Sequence, residues 1–306
     1  MVQGFLFILT NIIIASFQSV FLSHWLKSMN VYFVVAMSFA IVMVLYSSMT
    51  LLKGLKYLSI LVEMKKNILA LNLVSAGNWM FYFFAIRYVN PASVVTITQC
   101  LPPVLITLFM LVTRKPVLRS TLFFHSMILL CVILLLRDTL QMSGGEEHDT
   151  IIGCGIAILC AITVSMTIGV SKVFANKGLP SYVVLSARFP LLIIISYAMI
   201  PSGSVGAVEP TELAIIATIA LIGLSLTNYC LQKGIEFSSP MVVSTTLSVS
   251  PFVVLLFDKI SRHDASITSQ TLLIFAIVIL SFACIYFSYR SARILNRVAA
   301  KAATEC

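Results

Sequence analysis

The sequence predicts an all-α integral membrane protein of ten transmembrane helices, arranged as two inverted five-helix repeats. Three observations predict it. The chain is 59% hydrophobic and only 10% charged, where a soluble domain carries roughly 25% charged residues. Apolar runs of about 20 residues recur along its length, each long enough to cross ~30 Å of hydrocarbon. The chain also resembles itself at a single offset of 149 residues, which pairs Pro91 with Pro240, Pro102 with Pro251, Ile86 with Ile235, Val104 with Val253, Gly4 with Gly153 and Ser16 with Ser165. An apolar chain of two related halves is the pattern of membrane carriers built from repeats.

The runs fall at about 2–23, 30–52, 67–87, 91–112 and 117–136, then 151–174, 181–200, 211–232, 240–259 and 269–289. Span 1 has neither a charged n-region nor a small-residue cleavage site, so it reads as a retained span and not a signal peptide. Span 2 is followed by Lys53, Lys56, Lys65 and Lys66. Span 3 carries Asn72, Ser75, Trp79 and Tyr82 on one helical face, with Asn78 alongside. Asn90 and Pro91 open span 4 as an N-cap followed by proline at the first helical position. Pro102 and Pro103 lie near its middle, where a missing backbone donor kinks a helix. Span 5 holds His125 and leads into the longest external connection, Arg137 to Thr150, rich in Gly, Ser and acid. That connection falls where the repeat places the joint between halves. Span 6 carries Thr167, span 7 carries Arg188, and span 8 carries Ser225, Asn228 and Gln232 on one face. Ser239 and Pro240 open span 9 as Asn90 and Pro91 open span 4, and Pro251 lies near its middle. Span 10 ends in a basic tail. The chain therefore divides into a first repeat (1–137), an external linker (138–150), a second repeat (151–290) and a tail (291–306).

Five is odd, so the second half enters the membrane from the opposite side and the repeats are inverted. Most of the 20 Lys and Arg lie in the loops after spans 2, 4, 6 and 8 and in the tail. The positive-inside rule then places both termini in the cytoplasm. Glu146, Glu147, Asp149, Glu209 and Glu212 fall on the other side. The net charge of +9 is thus an orientation signal with the lipid bilayer as partner, and not a nucleic-acid footprint. Of the seven cysteines, all but Cys306 fall inside spans, and none has CxxC or Cys/His ligand spacing. They read as buried apolar side chains, with no disulfide framework, metal site or cofactor.

Ten spans, two halves, and a repeated segment running from Ala85 through Pro91 to Pro102 and Pro103, and again from Gly234 through Pro240 to Pro251, resemble the drug/metabolite transporter superfamily. The short loops are most similar to its bacterial EamA-like branch. The resemblance covers the whole chain. It implies a central cavity lined by helices 1, 3, 4, 6, 8 and 9, with helices 2 and 7 as movable gates. Helices 5 and 10 would be peripheral, where a homodimer would form, and the location would be the cell inner membrane. The chain departs from a duplicated pattern at Arg188, whose partner position is Phe39.

Intramembrane polar residues are costly and each requires an account. The candidate substrate-binding residues are Gln18, Asn78, Trp79, Tyr82, Gln99, Asn228, Ser248 and Arg188. Pro91, Pro102, Pro103, Pro240 and Pro251 are the candidate gate or hinge positions. Two readings stand for the polar residues: they line a cavity, or they bond neighbouring helices together. The mid-span prolines are either hinges or fixed bends. Arg188 has three readings: it snorkels to the headgroups, holds a gate, or binds a carboxylate or phosphate through its planar fork. No Asp or Glu lies deep in a span, and His125 reads as a packed neutral histidine, so no proton relay is evident. GxSxG, HExxH and paired intramembrane aspartates are all lacking, so the chain does not read as an enzyme. The expected function is secondary transport of a small polar or zwitterionic metabolite, an amino acid or derivative, most plausibly outward and by alternating access. The alternative is a nucleotide-sugar or sugar-phosphate exchanger of the same fold, which requires more cationic side chains at mid-membrane.

Overall fold

A computed structural model describes the backbone of residues 2–25, 30–141, 147–201, 209–262 and 268–304. It describes the side chains within these except at 2, 21–25, 147, 262 and 291–304. The described residues form helices and turns without strands. Ten helical spans are long and apolar enough to cross a membrane, so this is a multi-pass membrane protein. In order they are α1 (Val2–Trp25), α2 (Val31–Lys53), α3 (Lys65–Tyr88), α4 (Pro91–Val112), α5 (Arg119–Gln141), α6 (Glu147–Asn176), α7 (Ser181–Ser186, then Pro190–Ala198), α8 (Pro210–Thr218, Ile219–Leu226, Thr227–Phe237), α9 (Pro240–Leu247, then Ser250–Arg262) and α10 (Ser269–Thr304). A 3-10 turn, Leu55–Tyr57, and a short helix, Leu58–Glu63, join α2 to α3.

The starts of α2, α4 and α9 follow from their caps. Asn30 accepts from the Tyr32 and Phe33 amides at 3.0 and 3.3 Å. Asn90 accepts from the Ser93 amide at 2.8 Å, and the Ser239 hydroxyl accepts from the Val242 amide at 3.4 Å. In α4 and α9 the next residue is proline at the first helical position, where its missing N–H costs nothing. At the other end of α6, Gly178 takes φ 75°, a left-handed closure that a side chain disfavours.

Burial orders the helices. In the most apolar stretch of each span, 61% of α4 and 56% of α9 are buried, against 28% of both α5 and α10. The proline-bearing helices are therefore central, and α5 and α10 pack against each other at the edge. The closest helix pairs are α3 with α6 and α1 with α8. Two glycines permit these approaches. A side chain at Gly153 of α6 would collide with Tyr88 and Val89 at the end of α3. One at Gly4 of α1 would collide with Phe237 and Ser238 at the end of α8. These are the same positions displaced by 149 residues.

Several elements differ from the sequence expectation. The linker is shorter, because α5 runs on to Gln141 and α6 begins at Glu147. Thr139 extends α5 by donating to the Leu135 carbonyl and lying 3.1 Å from the Ser93 hydroxyl. Residues 142–146 of the expected linker lie outside the described residues. The tail continues α10 as helical backbone to Thr304. The prolines also act unequally: α4 stays one helix through Pro102 and Pro103, whereas α9 breaks between Leu247 and Ser250, just before Pro251. Pro103 has no N–H for the Gln99 carbonyl four residues back. That carbonyl instead lies 3.2 Å from the Ser248 hydroxyl, whose one proton it shares with the Ser244 carbonyl at the same distance.

Candidate functional site: a central polar cavity

Gln18 and Asn11 of α1, Asn78, Trp79 and Tyr82 of α3, Gln99 of α4, Val164 of α6, Thr227 and Asn228 of α8, and Ser250 and Val254 of α9 line one cavity. About 110 Å³ of it is open to the centres of water molecules. Six of the eight sequence-predicted binding residues meet here: Gln18, Asn78, Trp79, Tyr82, Gln99 and Asn228. Among the described residues, no charged side chain lines it.

The polar lining falls into two groups. Some groups are consumed by the scaffold. Asn11 Nδ2 donates to the Thr227 carbonyl at 3.0 Å, and Asn228 Nδ2 donates to the Leu224 carbonyl at 2.8 Å. Asn78 receives the Cys160 thiol at 3.3 Å on its carbonyl and at 3.4 Å on Oδ1. The Asn11–Thr227 and Cys160–Asn78 contacts are the same contact displaced by 149 residues. The second group has no partner: Trp79 Nε1, Gln99 Oε1 and Thr227 Oγ1 are buried and unbonded. Buried polar atoms are nearly always paired, and here a donor, an acceptor and a hydroxyl on residues of the lining are left without partners.

Packing positions these groups. Trp79 is held by Phe39 at 4.9 Å between ring centroids, by Phe83 at 6.0 Å and by Tyr82 at 6.1 Å. Gln18 is reached by α8 only because residue 223 is glycine, where a Cβ would lie 2.7 Å from the Gln18 amide carbon. That glycine sits in Ile219–Leu226, a π-helical stretch of α8. Such widened turns recur at functional sites.

Two predicted residues lie off the lining. Ser248 stands behind Gln99, bonded to its carbonyl as described above. Arg188 is 1% exposed, which excludes the snorkelling reading. Its Nε donates to the Ser75 hydroxyl at 2.9 Å, its guanidinium lies 5.4 Å from the Phe189 ring centre, and Nη1 has no partner. Phe39 packs on both Trp79 and Phe189, at 4.9 and 4.8 Å, so one aromatic cluster touches the cavity residue Trp79 and the residue next to Arg188.

Arg188 also marks a break in α7 that the sequence reading treated as one continuous span. In an unbroken helix the Leu191 amide would donate to the Ala187 carbonyl. Here the Asn72 side chain of α3 occupies that place: its Nδ2 donates to Ala187 O at 2.7 Å and its Oδ1 accepts from Leu191 N at 3.1 Å. Pro190, which cannot donate to Ser186, was the available sign of this break. The Asn72 insertion has no sequence sign, because it comes from another helix.

His125 of α5 is buried, with Nδ1 at 2.6 Å from the Thr107 hydroxyl and Nε2 at 3.2 Å from the Thr245 hydroxyl. Thr245 spends its proton on the Met241 carbonyl at 2.8 Å. It therefore accepts from Nε2–H, leaving Nδ1 to accept from Thr107. The described cysteines are all free thiols, and no cluster of His, Cys, Asp and Glu among the described residues has the spacing of a metal site.

No family model matches the chain, and no curated protein does. Among solved structures, one crystal structure of a protein is similar over 94% of this chain and 98% of its own, with a TM-score of 0.68 and 19% identity. At that identity the likeness is one of fold, and it extends over the whole ten-helix arrangement.

Proposed function

We propose that the protein is a secondary transporter that moves a small polar or zwitterionic metabolite, an amino acid or a derivative, out across the inner membrane by alternating access. The observation that carries this reading is the central cavity with its three unpartnered polar atoms. It is small, uncharged, part aromatic and part amide. A solute with an apolar portion and both donor and acceptor groups complements it, whereas a nucleotide sugar or sugar phosphate would need cations that the lining lacks.

The 149-residue correspondence supports two inverted halves as the moving parts. Gly4 and Gly153 serve equivalent contacts between the halves, as do the pairs Asn11–Thr227 and Cys160–Asn78. Gln99 and Ser248, themselves 149 residues apart, touch each other, as residues on a pseudo-two-fold axis do. The loop charges favour both termini in the cytoplasm, and the resemblance to the drug/metabolite transporter superfamily agrees with the whole.

Counterflow in proteoliposomes tests the function. Vesicles preloaded with unlabelled neutral or zwitterionic amino acids accumulate the labelled solute. Accumulation with nucleotide sugars or sugar phosphates alone overturns the substrate class, and accumulation with no member of a broad panel overturns transport.

A further inference from the structure

A second hollow, of about 630 Å³, lies at the end of the bundle where α4 finishes and α9 begins. Phe5 of α1, Val117 of the α4–α5 link, Met241 and Thr245 of α9, and Phe282 and Tyr289 of α10 form its wall. The wall is mostly apolar, and the described residues do not close it: Phe282 and Tyr286 are 47% and 60% exposed. From Tyr289 to Phe282 it follows α10 for about 10 Å at 1.5 Å per residue. Its mouth is basic. Lys115 and Arg119 bracket the lining segment 116–118, Arg290 follows Tyr289, and all three are exposed. The wall-forming segments contain no acidic residue, and the nearest one along them, Glu236, is held by Lys233 at 2.9 Å.

An apolar trough about 10 Å deep beneath several exposed cations matches the two ends of an acidic lipid. We propose that this groove is a specific site for one anionic phospholipid, with an acyl chain along α10 and the headgroup phosphate among Lys115, Arg119 and Arg290. The site reaches the centre of the protein through one residue. Thr245 and Cys284 line the groove, and His125 touches both, at 3.2 and 3.6 Å through Nε2, while its Nδ1 lies 2.6 Å from Thr107 of α4. The lipid chain would therefore brace the two proline-bearing helices through His125.

The test offers the purified full-length protein equal amounts of phosphatidylglycerol and phosphatidylcholine with identical chains, read by native mass spectrometry. The expected result is preferential retention of one phosphatidylglycerol per chain. Arg119→Gln combined with Arg290→Gln, both exposed, should lower that preference on the order of tenfold. Ile285→Trp, which plugs the groove, should remove the retained lipid, with Ile285→Phe as a milder plug if the first variant does not fold. Equal retention of the two lipids overturns the assignment, as does unchanged retention in the plugged variants. A dimer that sheds its lipid as it forms also overturns it, because a second copy then covers the groove.

Discussion

Trp79, Gln99 and Thr227 each bury a polar atom without a partner at the same cavity, and a bound solute would complete them. Removing one such atom should weaken binding by the net value of a hydrogen bond, about 0.5–1.5 kcal/mol. Trp79→Phe keeps a ring against Phe39 and deletes the N–H. Its half-saturation concentration in counterflow should rise by roughly 2- to 13-fold, with little change in thermal stability. Gly223→Val should act through Gln18. The added side chain meets the Gln18 amide, so transport should fall while Gln18→Ala, which clears the space, restores part of it in the double variant. Arg188 behaves differently because it is not among the residues that line the cavity, and its guanidinium bonds Ser75 and lies on the Phe189 ring. Arg188→Met should leave the half-saturation concentration unchanged and the melting temperature equal or higher, since an unpaired buried charge is replaced by an apolar chain of similar length. A raised half-saturation concentration in that variant would return Arg188 to the substrate path.

At the scale of elements, the breaks in α7 and α9 have different origins, and this decides how legible each was. Pro91, Pro240 and their caps were readable because cap, proline and helix start are neighbours in the chain. The α9 break before Pro251 was half-readable, since proline removes a donor wherever it stands. Yet Pro102 and Pro103 do not break α4, and the hydroxyl beside the Gln99 carbonyl, that of Ser248, comes from α9. The α7 break has a local sign in Pro190, but the Asn72 amide that fills it comes from another helix, and the π-helical turns of α8, beside the close approach of Gly223 to Gln18, were not visible in local pattern. Asn72→Leu should remove the inserted amide and leave Ala187 O and Leu191 N unpaired, at about 1–3 kcal/mol for each buried group. Reduced thermal stability checks this. An unchanged melting temperature would mean that α7 closes into a continuous helix without penalty.

At the scale of the whole molecule, ten spans were legible from apolar run length, and six of the eight candidate residues converge because polar residues in lipid have few places to go. The two that do not, Arg188 and Ser248, show the limit of that logic: one bonds Ser75 of a neighbouring helix and the other lies against a carbonyl orphaned by proline. The orientation is also tested at this scale. A cysteine introduced at Gly144, in the connection between the halves, should react with an impermeant reagent from the external face only. The central claim is that one cavity is reached alternately from both faces. Gln18→Cys places a thiol in that cavity, with the native chain, whose described cysteines are buried or half-buried, as the blank. In sealed proteoliposomes of known orientation, an impermeant thiol reagent should label this cysteine from either face, and a transported solute should suppress both reactions. Labelling from one face alone, unaffected by any solute that exchanges, would contradict the account.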